Sequence, residues 1–100
     1  MSAKWDQNAM FAAMVARTER NLSDADRRED WASWHQGQAG AYLALQDIRY
    51  LRTADTFRDR IEALRNGKPK NINMRVAKDP AAYAQGWEVG LDEAEQDFLS

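Results

Sequence analysis

The stretch Ser23–Thr53, SDADRREDWASWHQGQAGAYLALQDIRYLRT, decides how the 100-residue chain is read. Ser23-Asp24-Ala25-Asp26 places a capping hydroxyl ahead of two carboxylates, where the dipole of a helix start favours negative charge. Trp31, Trp34, Gln38, Ala41, Leu45, Ile48 and Arg52 then recur at steps of three and four, with Tyr42 beside them. That is a seam suited to helix–helix packing. No proline follows until Pro69. Gly37 and Gly40 interrupt the seam, each at a propensity cost of up to about 1 kcal/mol. The spacing predicts one long helix over 24–53, kinked near the glycines, or two helices broken there.

Upstream, an amphipathic pattern predicts a helix over 2–20. Ser2 is its N-cap, Trp5, Ala9, Ala13 and Ala16 share a face that Met10, Phe11, Met14 and Val15 widen, and Asn21 is a left-handed stop. Downstream, Thr53 or Asp55 caps a third helix bearing Phe57, Ile61 and Leu64, which Asn66-Gly67 ends by the left-handed rule. In 68–78, Ile72, Met74 and Val76 alternate, yet a single strand has no partner, so an ordered connection is expected. Asp79-Pro80 starts the last helix with an N-cap and the imino acid suited to the first helical position. Tyr83, Trp87, Leu91, Ala94 and Phe98 line one face of it. The expectation is an all-α small bundle of three to four helices, residues 1–100 forming a single helical domain.

Gln36-Gly37 and Gln85-Gly86 echo each other, as do Gly40-xxx-Ala44-x-Gln46-Asp47-Ile48 and Gly90-xxx-Ala94-x-Gln96-Asp97-Phe98. Small residues four apart let helix backbones approach, so the two helices are expected to cross at Gly40/Ala44 and Gly90/Ala94. Two copies fall short of a repeat array.

With 44% apolar residues and four Trp, the chain can build a core; with 30% charged residues it has no run of about 20 apolar residues for a membrane span. Asp6 and Glu19 interrupt residues 1–20, which read as neither signal nor anchor. The absence of cysteine excludes disulfides and thiolate chemistry and fits a cytoplasmic setting. No Gly-rich phosphate loop, Gly-x-Ser-x-Gly or two-histidine motif is present, and the only His, His35, lacks a partner at ligand spacing and reads as a surface or boundary residue. No enzyme, cofactor or metal is expected.

Charge is segregated. Residues 48–78 carry nine Lys/Arg against three Asp/Glu, and residues 79–100 carry six acids and no Lys/Arg. The basic middle, Arg49 to Lys78, either binds nucleic acid or pairs with the acidic last helix; pairing is the favoured reading. Asp92, Glu93, Glu95 and Asp97 crowd the wrong pole of a helix dipole, so another force must tolerate them. Glu19, Asp24, Asp26, Glu29 and Asp30 stud the first joint. They read either as a solvated face paired with Arg20, Arg27 and Arg28 or as carboxylates offered to a basic groove. Trp31 and Trp34 are too close in phase for both to be deeply buried, and an exposed one would be a hot-spot candidate.

The segment Gly86-Trp87-Glu88-Val89-Gly90-Leu91-Asp92-Glu93-Ala94 resembles the Gly-aromatic-x-x-Gly helices of small phage and mobile-element proteins. In size, lack of cysteine, helical content and paired acidic clusters the chain is also similar to anti-CRISPR proteins. The resemblance implies a non-enzymatic inhibitor, working in a bacterial host, that sits on the nucleic-acid path of a nuclease complex. The expectation is a partner-binding set of Glu19, Asp24, Asp26, Glu29 and Asp30 facing a larger protein or protein–nucleic-acid complex with a basic surface, and no membrane. A nucleic-acid-binding regulator using 49–78, and a structural helical subunit that pairs with its own copy through the Trp31–Arg52 seam, are the alternatives.

Overall fold

The computed structural model describes residues 6–46, 54–67 and 78–99. Within them lie four α-helices: α1 (Gln7–Arg27), α2 (Ala32–Ala44), α3 (Ala54–Asn66) and α4 (Pro80–Leu99), with a 3-10 turn, Glu29–Trp31, between α1 and α2. The all-α bundle is as the sequence predicts. Ser2 and Trp5, the Ile48–Arg52 end of the seam and the alternating Ile72, Met74 and Val76 lie outside the described residues.

The first two helices meet elsewhere than the sequence pattern predicts. Asp6 is the N-cap of α1, accepting from the Asn8 and Ala9 backbone N–H at 3.0 and 3.1 Å. The helix then runs unbroken through Asn21 and Ser23 to Arg27. Asn21 is 2% exposed, one of a stripe of Met10, Met14, Thr18, Asn21 and Ala25 spaced four, four, three and four. Burying that stripe outweighs the few tenths of a kcal/mol that Asn and Ser cost in a helix. The face predicted around Ala9 and Ala16 is exposed instead.

The break comes at Arg28, whose backbone leaves the helical region at φ −126°, ψ 80°. Arg27-Arg28 complements the negative end of one helical segment, and Glu29-Asp30 the positive start of the next. The long helix expected over 24–53 thus begins at 32, and it passes Gly37 and Gly40 without a break.

The glycines serve the α2–α4 crossing. A Cβ on Gly37 would overlap the Tyr83 carbonyl oxygen and lie 2.9 Å from the Trp87 backbone nitrogen; one on Gly86 would overlap the Trp34 carbonyl and lie 3.1 Å from the Gln38 nitrogen. Gly90 faces Gln38 and Ala41, with Ala41 Cβ only 2.8 Å from where its own would be. Contacts advance together along both helices, so α2 and α4 run in the same sense. The small-residue pairs that meet are Gly37/Ala41 and Gly86/Gly90, one turn from the expected Gly40/Ala44 and Gly90/Ala94. Gly40 instead makes room for the Tyr83 ring and hydroxyl.

Around this crossing, α1 folds back along α2, with Arg17 reaching Tyr42 and Gln46 reaching Thr18. α3 lies antiparallel on α4, Phe57 meeting the Phe98 ring edge to face at 6.3 Å and Arg65 meeting Asp92. The core combines Met10 and Met14 from α1, Ala41 and Tyr42 from α2, Phe57 and Ile61 from α3, and Tyr83, Trp87, Leu91 and Ala94 from α4, with Leu45 just beyond α2. Asp79 caps α4 through the Ala82 N–H at 3.1 Å, as its sequence predicts. Gly67 follows α3 without adopting a left-handed conformation, contrary to the expected cap.

The Tyr83 hydroxyl is buried without a hydrogen-bond partner among the described residues, and burial pushes its pKa well above the usual phenol range. A buried unpaired hydroxyl is a desolvation cost with no return. Tyr83→Phe should therefore be neutral or stabilising by up to about 1 kcal/mol in urea denaturation. A loss of more than about 1 kcal/mol would mean that the hydroxyl has a bonding role.

Candidate partner-binding surface

The α1–α2 joint is short, and it turns the chain outward with charged and aromatic side chains on it. Asp26, Glu29 and Asp30 are exposed, and Trp31 is 56% exposed. Asp26, Glu29, Asp30 and Trp31 border one open depression with Arg27 and Arg28. On its other side the turn borders a deeper cleft of about 620 Å³, which includes Glu29, Asp30, Trp31, Trp34, Lys78 and Asp79. Trp31 lies edge to face on Trp34 at 6.3 Å, and Trp34 in turn on His35 at 5.0 Å. That stack connects the exposed indole to the more buried part of α2.

The five carboxylates read from the sequence divide. Asp26, Glu29 and Asp30 come together at the joint. Asp24 is held by Arg27 at 2.8 Å, which keeps its carboxyl below the ordinary aspartate range. Two residues apart in a helix is about 200° around its axis, so Asp24 and Asp26 point to different sides of α1. Glu19 is exposed and shares the azimuth of Asp26 but lies two turns, about 10 Å, down the helix. Asp24 is thus spent on pairing, and Glu19 is peripheral. Trp31 joins the set through its exposure, which the phase conflict with Trp34 anticipates. Lys78 and Asp79 join through the α2–α4 crossing, for which the local sequence holds no sign.

Two arginines pair with acids of α4 across the bundle. Arg65 bonds Asp92 at 2.6 Å, Glu95 at 2.9 Å and Glu62 at 2.9 Å, and the first two hold its guanidinium protonated more firmly than usual. Arg17 pairs with Asp97 at 2.7 Å, and Glu93 accepts from Gln38. These contacts are the force that tolerates acids at the C-terminal pole of α4. Within the basic middle, Arg58 pairs with Asp55 at 3.1 Å and Arg60 is engaged as well. Arg49, Arg52, Lys68, Lys70 and Arg75 lie outside the described residues.

Ser33 Oγ accepts the Asp79 backbone N–H at 3.1 Å, and His35 Nδ1 is buried with no hydrogen-bond partner among the described residues, so no Ser33–His35 contact is made through that nitrogen. Among the described residues no three His, Asp or Glu side chains are grouped to share a metal ion, and no helix is long and apolar enough to cross a membrane. No family model, curated protein or solved structure matches the chain.

Proposed function

We propose that this chain is a non-catalytic macromolecule-binding protein that presents Asp26, Glu29 and Asp30, with Trp31 among them, to a basic surface of a larger partner. The observation that carries this reading is the coincidence of three exposed carboxylates and a half-exposed indole on one tight joint. Both flanking helices are anchored in the core, so the joint's geometry is set before binding and little ordering entropy opposes docking. Carboxylates so held can occupy Lys/Arg sites that otherwise take nucleic-acid phosphates, and they speed encounter with a positive groove. An inhibitor of a nucleic-acid-handling complex, of the anti-CRISPR type and cytoplasmic, is the function that fits this chemistry. A nucleic-acid-binding regulator using 49–78 is the second reading; the pairing of Arg58 with Asp55 and of Arg65 with Asp92 supports giving it the lower rank.

The test is affinity capture from a bacterial lysate after nuclease treatment, with the chain and with an Asp26→Lys/Glu29→Lys/Asp30→Lys variant. Asp24 is left intact because reversing it would set a cation against Arg27. The reading expects a stoichiometric protein complex that survives nuclease, whose nucleic-acid binding the parent chain competes, and that the variant loses while keeping its helical circular dichroism. Equal capture by the folded variant, or recovery only of nuclease-sensitive material, removes it.

A further inference from the structure

We propose that the cleft between the 3-10 turn and the starts of α2 and α4 is an arginine site, taking one guanidinium of a basic partner against the Trp31 indole with Glu29 and Asp30 as its carboxylate acceptors. This inference rests on the reading of the acidic joint given above and names the side chain it recognises. The concavity, about 620 Å³, falls within the range of built ligand sites and has room for an arginine side chain with its flanking backbone. Its aromatic wall is unusual in being available: Trp31 is 56% exposed, while its edge contact with Trp34 fixes the ring. An exposed, oriented indole face beside carboxylates attracts a cation by its quadrupole and by charge together.

The opposing case is an anion, since two helix starts and Lys78 also border the cleft. At the start of α4, two of the N–H groups that would receive an anion are in use, however. Asp79 itself caps α4 through Ala82 N–H, and its own N–H is donated to Ser33 Oγ. Among the described residues that line it, Glu29, Asp30 and Asp79 outnumber the ammonium of Lys78, a formal charge of −2. That sign selects a cation. Between the two cationic side chains, guanidinium is planar, matches a carboxylate in two-pronged fashion, stacks on indole and is less strongly hydrated than ammonium.

The experiment titrates the full ¹⁵N-labelled chain with hexa-arginine, hexa-lysine and hexa-glutamate peptides and follows the backbone amide and tryptophan indole N–H signals. Hexa-arginine should move the Trp31 and Trp34 signals saturably and bind several-fold tighter than hexa-lysine, and hexa-glutamate should leave them still. Trp31→Ala, which removes an exposed ring and leaves the core intact, should weaken hexa-arginine about tenfold, as should Glu29→Gln with Asp30→Asn. Equal affinity for both basic peptides with no effect of Trp31→Ala would reduce the cleft to diffuse attraction and overturn the proposal. So would shifts confined to the Asp92 and Glu95 face, or binding of hexa-glutamate instead.

The two readings separate cleanly. Loss of the captured complex on charge reversal, with Trp31→Ala still binding both complex and peptide, keeps the acidic joint and removes the arginine site. Specific arginine binding with no nuclease-resistant complex keeps the site and removes the inhibitor.

Discussion

Gly86→Ala should lower the unfolding free energy by about 3 kcal/mol, which for a chain of 100 residues is a fall in Tm of roughly 10–25 °C. The sign runs against local propensity, because alanine in place of glycine inside a helix is favourable by about 1 kcal/mol. At this position the added methyl would overlap the Trp34 carbonyl oxygen and stand 2.8 Å from its carbon. Those atoms belong to a helix backbone and cannot rotate aside as the end of a side chain could. The helices must separate, and the contacts of Trp87, Tyr83 and Ala41 at the crossing loosen with them. Overpacking of this kind typically costs about 1–3 kcal/mol and sometimes more; a backbone-on-backbone clash belongs above that range, and the propensity gain brings it back to its upper end. Gly37→Ala meets the Tyr83 carbonyl in the same way and should behave alike. The control is Gly67→Ala: its nearest neighbour is 3.3 Å away and its φ is negative, so it should change stability by less than about 1 kcal/mol. Thermal circular dichroism of the three variants decides it, and a Gly86→Ala melt close to the parent's would mean that the crossing is looser than described.

The crossing matters beyond stability, because it aligns the starts of α2 and α4. Ser33 and Asp79 are hydrogen-bonded there, 46 positions apart in the chain. A wedge at Gly86 would open that end first and widen the cleft beside Trp31. Peptide binding in Gly86→Ala should therefore weaken even at temperatures where the helices persist.

What the sequence can and cannot say follows from where each signal acts. The last helix is legible because Asp79-Pro80 is a local start signal and nothing distant competes with it. The third is legible from Phe57, Ile61 and Leu64. The joint misleads because Ser23-Asp24-Ala25-Asp26 has the composition of a cap while Asn21 and Ala25 lie in register with Met10 and Met14. Burial of that register comes from tertiary packing and outweighs any cap. The signal that does place the joint is the sign change from Arg27-Arg28 to Glu29-Asp30, a pair of cations closing one dipole before a pair of carboxylates opens the next.

The internal echo does report that two helices need small residues, but similarity between two segments does not fix which residue of one faces which of the other. The candidate surface shows the same division. Acidity near the joint is legible as composition. Which carboxylates share a side depends on where α1 ends, and the contribution of Asp79 depends on a crossing between segments far apart in sequence.

Arg17→Met should cost about 2 kcal/mol, more than the loss of an ordinary surface charge. Arg17 Nη1 donates to the Tyr42 hydroxyl at 3.0 Å and pairs with Asp97 at 2.7 Å, and its guanidinium lies 4.8 Å from the Phe98 ring centre and 5.5 Å from that of Tyr42. It thereby ties α1 to both α2 and α4. Methionine keeps much of the stem's packing, so the change isolates the polar contacts. Tyr42 is fully buried, and burial pushes its pKa upward; without Arg17 its hydroxyl is left with no donor among the described residues. An orphaned buried acceptor costs about 1–3 kcal/mol, whereas the half-exposed Asp97 pair contributes at most about 1 kcal/mol. If the orphaned hydroxyl accounts for most of the loss, Arg17→Met in a Tyr42→Phe background should cost about 1 kcal/mol less than in the parent, because the group to be orphaned is already gone. Equal costs in the two backgrounds, measured by urea denaturation, would move the effect to Asp97 and Phe98 and make Arg17 a clamp on α4 alone.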